Sequence, residues 1–538
     1  MRISRSRVAV GAVALTAATL AASAIVEASP LSWTPVPSPQ TRATGIAQPN
    51  ALPPELADVT LVQGSNAIEN PSGLVTQYGY YADGPSVPAP GTVTEGLKSE
   101  PDKNTYLVIK GLTGADPDYE YGTHFLFQGH EAGAAGYVTR VNLDADAAHR
   151  VTLLGGTGRA SSVDGSTWYP FSRKVLVTGE AADAKGGVWQ LGPNPGGAVE
   201  KVASAGFGGY EGVQSDDDGN LWLVQDIGGS KGTVNNKARQ PNSFVYRLVP
   251  SNPHDLTAGG KLQVLQVLRN GAPIVFHPGQ ADADIQGADI EALHTYGLTF
   301  DTRWITIHDT AVDGSAPFDA NALAKTRSGT PFKRPENGVF RPDGKFREFF
   351  FTATGDTDIT TQAGSAKGGF GGIFHLKQQD ASANSGKLEI FYRADAANGG
   401  MDNIQFLTSR TVVAGQDYGD TAHEQLHAFD SALAFDIRSS HPTPKRLIGQ
   451  GRDASSTIDS SLLVAGTPGF QNDGDNEITG FHVSNGDPGV KGLLGARAPK
   501  PWENKGWRVF WTQQHGDNTT FEIVKAGGRS DDRSHRGR

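Results

Sequence analysis

Short apolar runs alternate with turns along this chain, and helical periodicity is scarce. The runs are rich in β-branched, aromatic and aliphatic residues and are bounded by Gly, Asp, Asn and Pro, which is how short strands joined by tight turns read. The best helical candidate, a short one, runs from Asp319 to Arg327.

The strand-like runs repeat. A first run ends in an acidic residue, a turn or loop follows, and a second run alternates apolar and polar positions. His124 to Glu131 leads to Tyr137 to Leu143, Lys174 to Glu180 to Gly187 to Leu191, and Asn220 to Asp226 to Phe244 to Leu248. Phe349 to Asp356 leads to Gly372 to Leu376, and Arg410 to Asp417 to Gln425 to Asp430. Leu462 to Gly466, followed by Asn472-Asp473, leads to Ile478 to Val483. Most of the acidic ends lie 46 to 61 residues apart, but Asp226 and Asp356 are separated by 130, so an insertion is expected between them. A lone four-stranded sheet cannot bury both faces, whereas a ring of sheets buries each face on its neighbour. The expectation is an all-β chain forming a six-bladed β-propeller; a large β-sandwich is the rival. Two further segments, Gly212 to Trp222 and Arg334 to Gly344, read as strands preceding the acidic ones. Inner strands line the channel of a propeller, so side chains at their ends meet at one mouth.

The first residues do not fit this pattern. Arg2, Arg5 and Arg7 precede an apolar stretch from Val8 to Leu20, and Ala22-Ser23-Ala24 offers a cleavage site, so residues 1–28 read as a signal peptide of a secreted protein. The arginines are not adjacent, which does not support a twin-arginine signal. No later stretch is long and apolar enough for a membrane span. Residues 29–60 begin Pro-, Ser- and Thr-rich and read as a flexible linker, residues 61–525 as the propeller, and residues 526–538 as a polar disordered tail.

Composition narrows the chemistry. The 68 glycines suit many tight turns, and the absence of cysteine excludes disulfides and thiolate metal sites. A net charge of -10 argues against nucleic acid as a partner. A monomer acting on a small molecule is expected. Oxygen ligands for hard cations could come from Glu131, Glu180, Glu211, Asp226, Glu336, Asp402 and Asp417, which sit at strand ends or beside Gly or Pro. Carboxylates converging on one channel repel unless cations or protons neutralise them. Taken one at a time, each is equally a turn or capping residue. His130 is either a ligand or a polar turn residue. Arg334 is suited to gripping a phosphate beside the acids, or to a salt bridge. Trp168, Trp189 and Trp222 read as core, Asp216 to Asp218 as a solvated turn, and Asn472 to Asn476 as a turn without full calcium-loop spacing. No nucleophile elbow, zinc-protease helix or phosphate loop is present.

Several short motifs, in this order, resemble the PhoX-type alkaline phosphatases, exported bacterial propellers. They are Gly129-His130-Glu131, Leu176 to Glu180, Tyr210-Glu211-Gly212 with Asp226, Thr330 to Glu336, Met401-Asp402-Asn403 and Phe510 to His515. The resemblance implies a phosphomonoesterase with calcium and iron at the propeller mouth. It also implies that Glu180, Glu211, Asp226, Glu336 and Asp402 are metal ligands, and that Arg334, contacting phosphate, acts with Glu336 in catalysis. The family places an iron-binding cysteine where this chain has Gly179. Two other expectations compete: a calcium-binding propeller without catalysis, and another hydrolase, a lactonase or phosphodiesterase, on the same scaffold.

Overall fold

A computed structural model describes residues 32–42, 48–73, 75–80, 99–131, 136–156, 162–234, 236–451, 477–503, 506–514 and 518–527. The expected signal peptide, the Leu462 to Gly466 run, the Asn472 to Asn476 turn, His515 and most of the expected tail lie outside these residues.

The described chain is built from antiparallel β-meanders. Hydrogen bonding gives four separate four-stranded sheets and one ten-stranded sheet, so six separate blades do not follow from the pairing. The ten-stranded sheet holds two meanders, Tyr210–Ser215 to Gly260–Arg269 and Gly338–Phe340 to Ser385–Arg393. The strand Phe300–Asp309 bridges them, pairing with both outer strands. It belongs to the stretch expected to hold an insertion, along with the short helices Ala281–Gln286, Ala288–Leu293, Thr310–Asp313 and Ala320–Thr326. The last of these is the helix expected at Asp319 to Arg327. The Asp319 side chain caps it, accepting from Ala322 N at 3.0 Å.

Alternation along the inner and second strands sends neighbouring side chains into different cores, because those strands are covered on both faces. In Glu348–Ala353, Phe349 and Phe351 pack with Trp222 and Phe340, whereas Phe350 packs with Phe391, Phe406 and Phe435. Burying each such ring stabilises the fold by about 1.5–3 kcal/mol. Trp168 and Trp222 are core residues, as expected, and Trp189 is partly buried.

The innermost strands form a closed ring. Pro101–Val108 packs on Val163–Tyr169, that strand on Tyr210–Ser215, and then in turn come Gly338–Phe340, Met401–Phe406 and Glu477–Ser484, which returns to Pro101–Val108. The run Ile478 to Val483, expected as a second strand, is therefore an inner one. The last sheet is closed by Leu56–Val62, which pairs with Thr519–Lys525 and begins inside the stretch expected as a linker. Ring closure needs close approach. A Cβ on Gly212 would stand 2.7 Å from the Glu336 carbonyl oxygen, and one on Gly165 would overlap the carbonyl of Glu211.

Candidate metal centre

Five inner strands are led in the same way: a residue with left-handed backbone, one further residue, then an acid. The lead-in residues are Glu100 (φ 46°), Ser162 (49°), Gly209 (61°), Arg334 (49°) and Gly400 (65°), and the acids are Asp102, Asp164, Glu211, Glu336 and Asp402. In four of these strands the acid sits in a bulge, where two residues face one on the neighbouring strand. Asp102 and Lys103 lie between the pairs Pro101–His130 and Asn104–Gln128, and Asp164, Glu211 and Asp402 occupy the same position in their sheets. A bulge strengthens the local twist and re-aims the side chain, here toward the ring axis.

A second tier of acids follows the second strands. The backbone N–H of Glu131 donates to the Glu100 carbonyl at 3.0 Å, Glu180 to Ser162 at 3.1 Å, Asp226 to Gly209 at 3.0 Å, and Asp417 to Gly400 at 2.8 Å. Each lead-in residue thus fixes two acids, one on each strand of its hairpin. The first-strand acids are buried, and the second-strand acids form a partly exposed rim above them. In the fifth hairpin Thr354 donates to the Arg334 carbonyl instead. Asp356, two residues on, is buried and takes both Lys333 Nζ contacts, at 3.0 and 2.8 Å. That pairing removes Asp356 from the rim.

The tiers converge. Carboxylate oxygens lie within 4.8 Å of one another in four groups: Asp102, Glu131 and Asp164; Asp102, Asp402 and Glu477; Glu180, Glu211 and Asp226; and Glu211, Glu336 and Asp402. All five acids expected as ligands, Glu180, Glu211, Asp226, Glu336 and Asp402, fall in these groups. Glu131 joins them, while Asp417 lies beside them as a partner of Arg334. Asp102, Asp164 and Glu477 were not expected. Their signal is the repeat itself, an acid two residues after a left-handed position, which reaches Asp102 and Asp164; Glu477 opens its strand at another register.

Two cations and three amides organise the acids. Arg334 Nε reaches Asp226 at 3.0 and 3.2 Å, and its Nη2 lies 2.9 Å from Asp226, 3.1 Å from Glu336 and 3.6 Å from Asp417. Lys103 Nζ donates to Asn337 Oδ1 at 2.5 Å, and Asn337 Nδ2 is shared between Glu211 and Asp402 at 3.0 Å each. Asn403 donates to Asp402 at 2.7 Å, and Gln514 to Glu131 at 2.6 Å.

Crowding raises proton affinity. Burial, reinforced by the Asp402 charge, lifts Asp102 to about 7; burial and the Asp226 charge lift Glu180 to about 8 against the opposing pull of Arg334. Burial, then like charge, also holds Glu131, Asp164, Glu211 and Glu477 well above the carboxylate range; Glu336 is held there by burial despite Arg334. For Arg334 burial opposes the charge, but Asp226, Glu336 and Asp417 outweigh it and keep the guanidinium protonated.

The donor set fits hard cations. Every member of the four groups is a carboxylate, and Asp164 Oδ1 is buried without a hydrogen-bond partner. It does not fit a thiolate-bound iron, since Gly179 closes the strand Lys174–Gly179 and the chain has no cysteine. His130 lies away from the acids. Its ring is stacked on Tyr137, with Nδ1 3.1 Å from Ser99 and Nε2 2.8 Å from Thr139, and burial lowers its proton affinity. Asp216 is no solvated turn residue, being buried and accepting from Trp222 Nε1 at 2.9 Å.

The family model for alkaline phosphatase PhoX matches residues 238–412. No curated protein matches the chain. Among solved structures, PhoX of Pseudomonas fluorescens in complex with vanadate aligns over 91% of this chain and 97% of its own, with 12% identity and a TM-score of 0.50. A periplasmic gluconolactonase of Pseudomonas aeruginosa aligns over 88% and 96%, with 14% identity and a TM-score of 0.31. Sequence over residues 238–412 and fold over most of the chain therefore agree with the motifs: this protein resembles the PhoX alkaline phosphatases.

Proposed function

We propose that the protein is a secreted, six-bladed, metal-dependent phosphatase that hydrolyses phosphate monoesters at the rim of the carboxylate channel. The observation that carries this reading is the convergence of Glu180, Glu211, Asp226, Glu336 and Asp402 around Arg334, inside a chain whose residues 238–412 match the PhoX family model. These five carboxylates are the proposed ligands, and calcium is the proposed cation because every donor is oxygen. Cations held there supply charge neutralisation and Lewis acidity toward a phosphoryl group. Arg334 presents a planar fork whose side chain is 25% exposed. It would orient the phosphate by paired hydrogen bonds while Asp226 and Asp417 keep it aimed. Glu336, buried beneath it with Oε1 3.1 Å from Nη2, completes the catalytic pair.

The absence of a thiolate at Gly179 favours a second reading, a calcium-binding propeller without catalysis; a lactonase or phosphodiesterase shares the same scaffold. Hydrolysis of p-nitrophenyl phosphate at alkaline pH separates them. The phosphatase reading expects turnover that chelation abolishes and calcium restores, and that Glu336→Gln removes while the chain stays folded. No turnover with calcium present, combined with a loss of thermal stability in Glu336→Gln, establishes the structural reading instead.

A further inference from the structure

The chain leaves the rim at Asp226, turns back as a hairpin, and returns beside the lead-in to Arg334. Gln240 N donates to the Ser230 carbonyl at 2.8 Å and Gly232 N to the Ala238 carbonyl at 2.9 Å, so Lys231 and Arg239 stand directly opposite each other. A pair bracketed by hydrogen bonds in this way is the kind whose side chains approach most closely, and like charges there repel. The side chain of neither residue makes a hydrogen bond or ion pair with any described residue, whereas nearby Lys237 pairs with Asp358 at 3.0 Å. Ala238 and Gln240 face the short helices: Ala238 packs with Ile285 and Ala363, and Gln240 Nε2 donates to Asp284 at 2.7 Å. Alternation turns Arg239 the other way. Its Nη1 lies 3.9 Å from where a Cβ on Gly228 would stand, and Gly228 is two residues past Asp226. The guanidinium is therefore within about 13 Å of the Asp226 backbone. One buried carboxylate registers both arginines: Asp356 Oδ1 accepts from Arg239 N at 3.0 Å and from the Nζ of Lys333, the residue before Arg334, at 3.0 Å. The returning strand is also paired to the Arg334 lead-in, Phe332 N donating to the Ser243 carbonyl at 2.7 Å.

We propose that Arg239, with Lys231 opposite it, is a second anion-binding point beside the channel, and that the ester cleaved at the rim carries a second phosphate group which this pair receives. Two opposed cations without an acid of their own are relieved when an oxyanion bridges them. The double charge of a phosphate matches the pair better than the single charge of a carboxylate. The arginine fork takes two of its oxygens and the lysine adds a point charge. Asp356 fixes the backbone of Arg239 relative to Arg334, so the pair selects esters by where the second phosphate sits. Arg239 and Lys231 are specificity residues and touch no reacting atom. The inference rests on the phosphatase reading of the rim.

The test compares fructose 1,6-bisphosphate with glucose 6-phosphate, which lacks the second phosphate, on the full chain in calcium. The native protein should show kcat/KM about 10-fold or more higher for the bisphosphate, the scale of one charge-assisted hydrogen bond. Arg239→Gln should lose most of that ratio through a raised KM for the bisphosphate, with its kcat held, and Lys231→Gln should lose part of it in the same way. A native ratio near one overturns the proposal, and so does a ratio that Arg239→Gln leaves unchanged. If the native chain cleaves neither ester, the phosphatase reading falls, and calorimetric titration with the same two compounds decides the anion point by itself. Tighter binding of the bisphosphate that Arg239→Gln abolishes sustains it; equal binding of the two compounds overturns it.

Discussion

Arg334 carries two burdens. Its backbone is left-handed at φ 49°, where glycine stands in two sister hairpins, Gly209 and Gly400. A side chain in that region costs about 1–2 kcal/mol. The conformation persists because Thr354 binds its carbonyl and because Lys333, next to it, is anchored on buried Asp356. The strain places a guanidinium where the other hairpins place Gly, Ser or Glu, among the carboxylates of the rim. Arg334→Lys keeps the charge and loses the fork. If Arg334 grips phosphate, initial rates on p-nitrophenyl phosphate should show kcat/KM falling by about 10-fold or more, as loss of a charge-assisted hydrogen bond worth roughly 1.5–3 kcal/mol implies, while calcium binding stays near the native value. An unchanged kcat/KM assigns Arg334 to charge balance alone.

At the scale of the element, the hairpin is the unit that builds the site: a left-handed lead-in, a bulged acid, and a second acid tied back to the lead-in carbonyl. Gly165 tests how tightly neighbouring hairpins are fitted. Its φ is not left-handed, so only space restricts it, and a Cβ there overlaps the Glu211 carbonyl. Gly165→Ala should leave a folded chain destabilised by about 1–3 kcal/mol in urea. Because Glu211 belongs to two carboxylate groups, the same variant should also bind calcium more weakly in a titration; a native affinity would show that the backbone of Glu211 yields without moving its carboxylate. What was legible in the sequence follows from the same anatomy. Second strands such as Lys174–Gly179 and Leu221–Gln225 are apolar runs, so the acids after them, Glu180 and Asp226, stand out. The inner strands Pro101–Val108 and Val163–Tyr169 open with polar residues, because they line a channel, and the bulge breaks their alternation. Asp102 and Asp164 therefore do not stand out in the sequence. The bridging strand Phe300–Asp309 was equally hidden, since its joining of two meanders depends on partners more than 30 residues away in sequence on one side and more than 70 on the other.

Among the described residues the acids of the ring outnumber the cations beside them, Lys103 and Arg334, and stability should therefore depend on protons and metal together. Asp102 and Glu180 have ordinary values of 3.8 and 4.5 and are lifted in the folded chain to about 7 and about 8. Below about pH 4 both carry protons whether the chain is folded or not, and they do not oppose folding. As pH rises from there to 8, the folded state holds on to protons that the unfolded state has released. The stability these groups contribute is thus lost as pH climbs through their folded values. If calcium binds the deprotonated folded cluster as proposed, it takes the place of the protons and reverses the loss. At a concentration of 100 times its dissociation constant, such a ligand adds about 2.7 kcal/mol. Melting curves in chelator should therefore show Tm falling between pH 5 and pH 8, and added calcium should raise Tm more at pH 8 than at pH 5. A Tm that rises with pH in chelator, or a calcium shift equal at both values, would mean that the acids around Asp102 and Glu180 are balanced within the chain, with Lys103 and Arg334 sufficient to neutralise them.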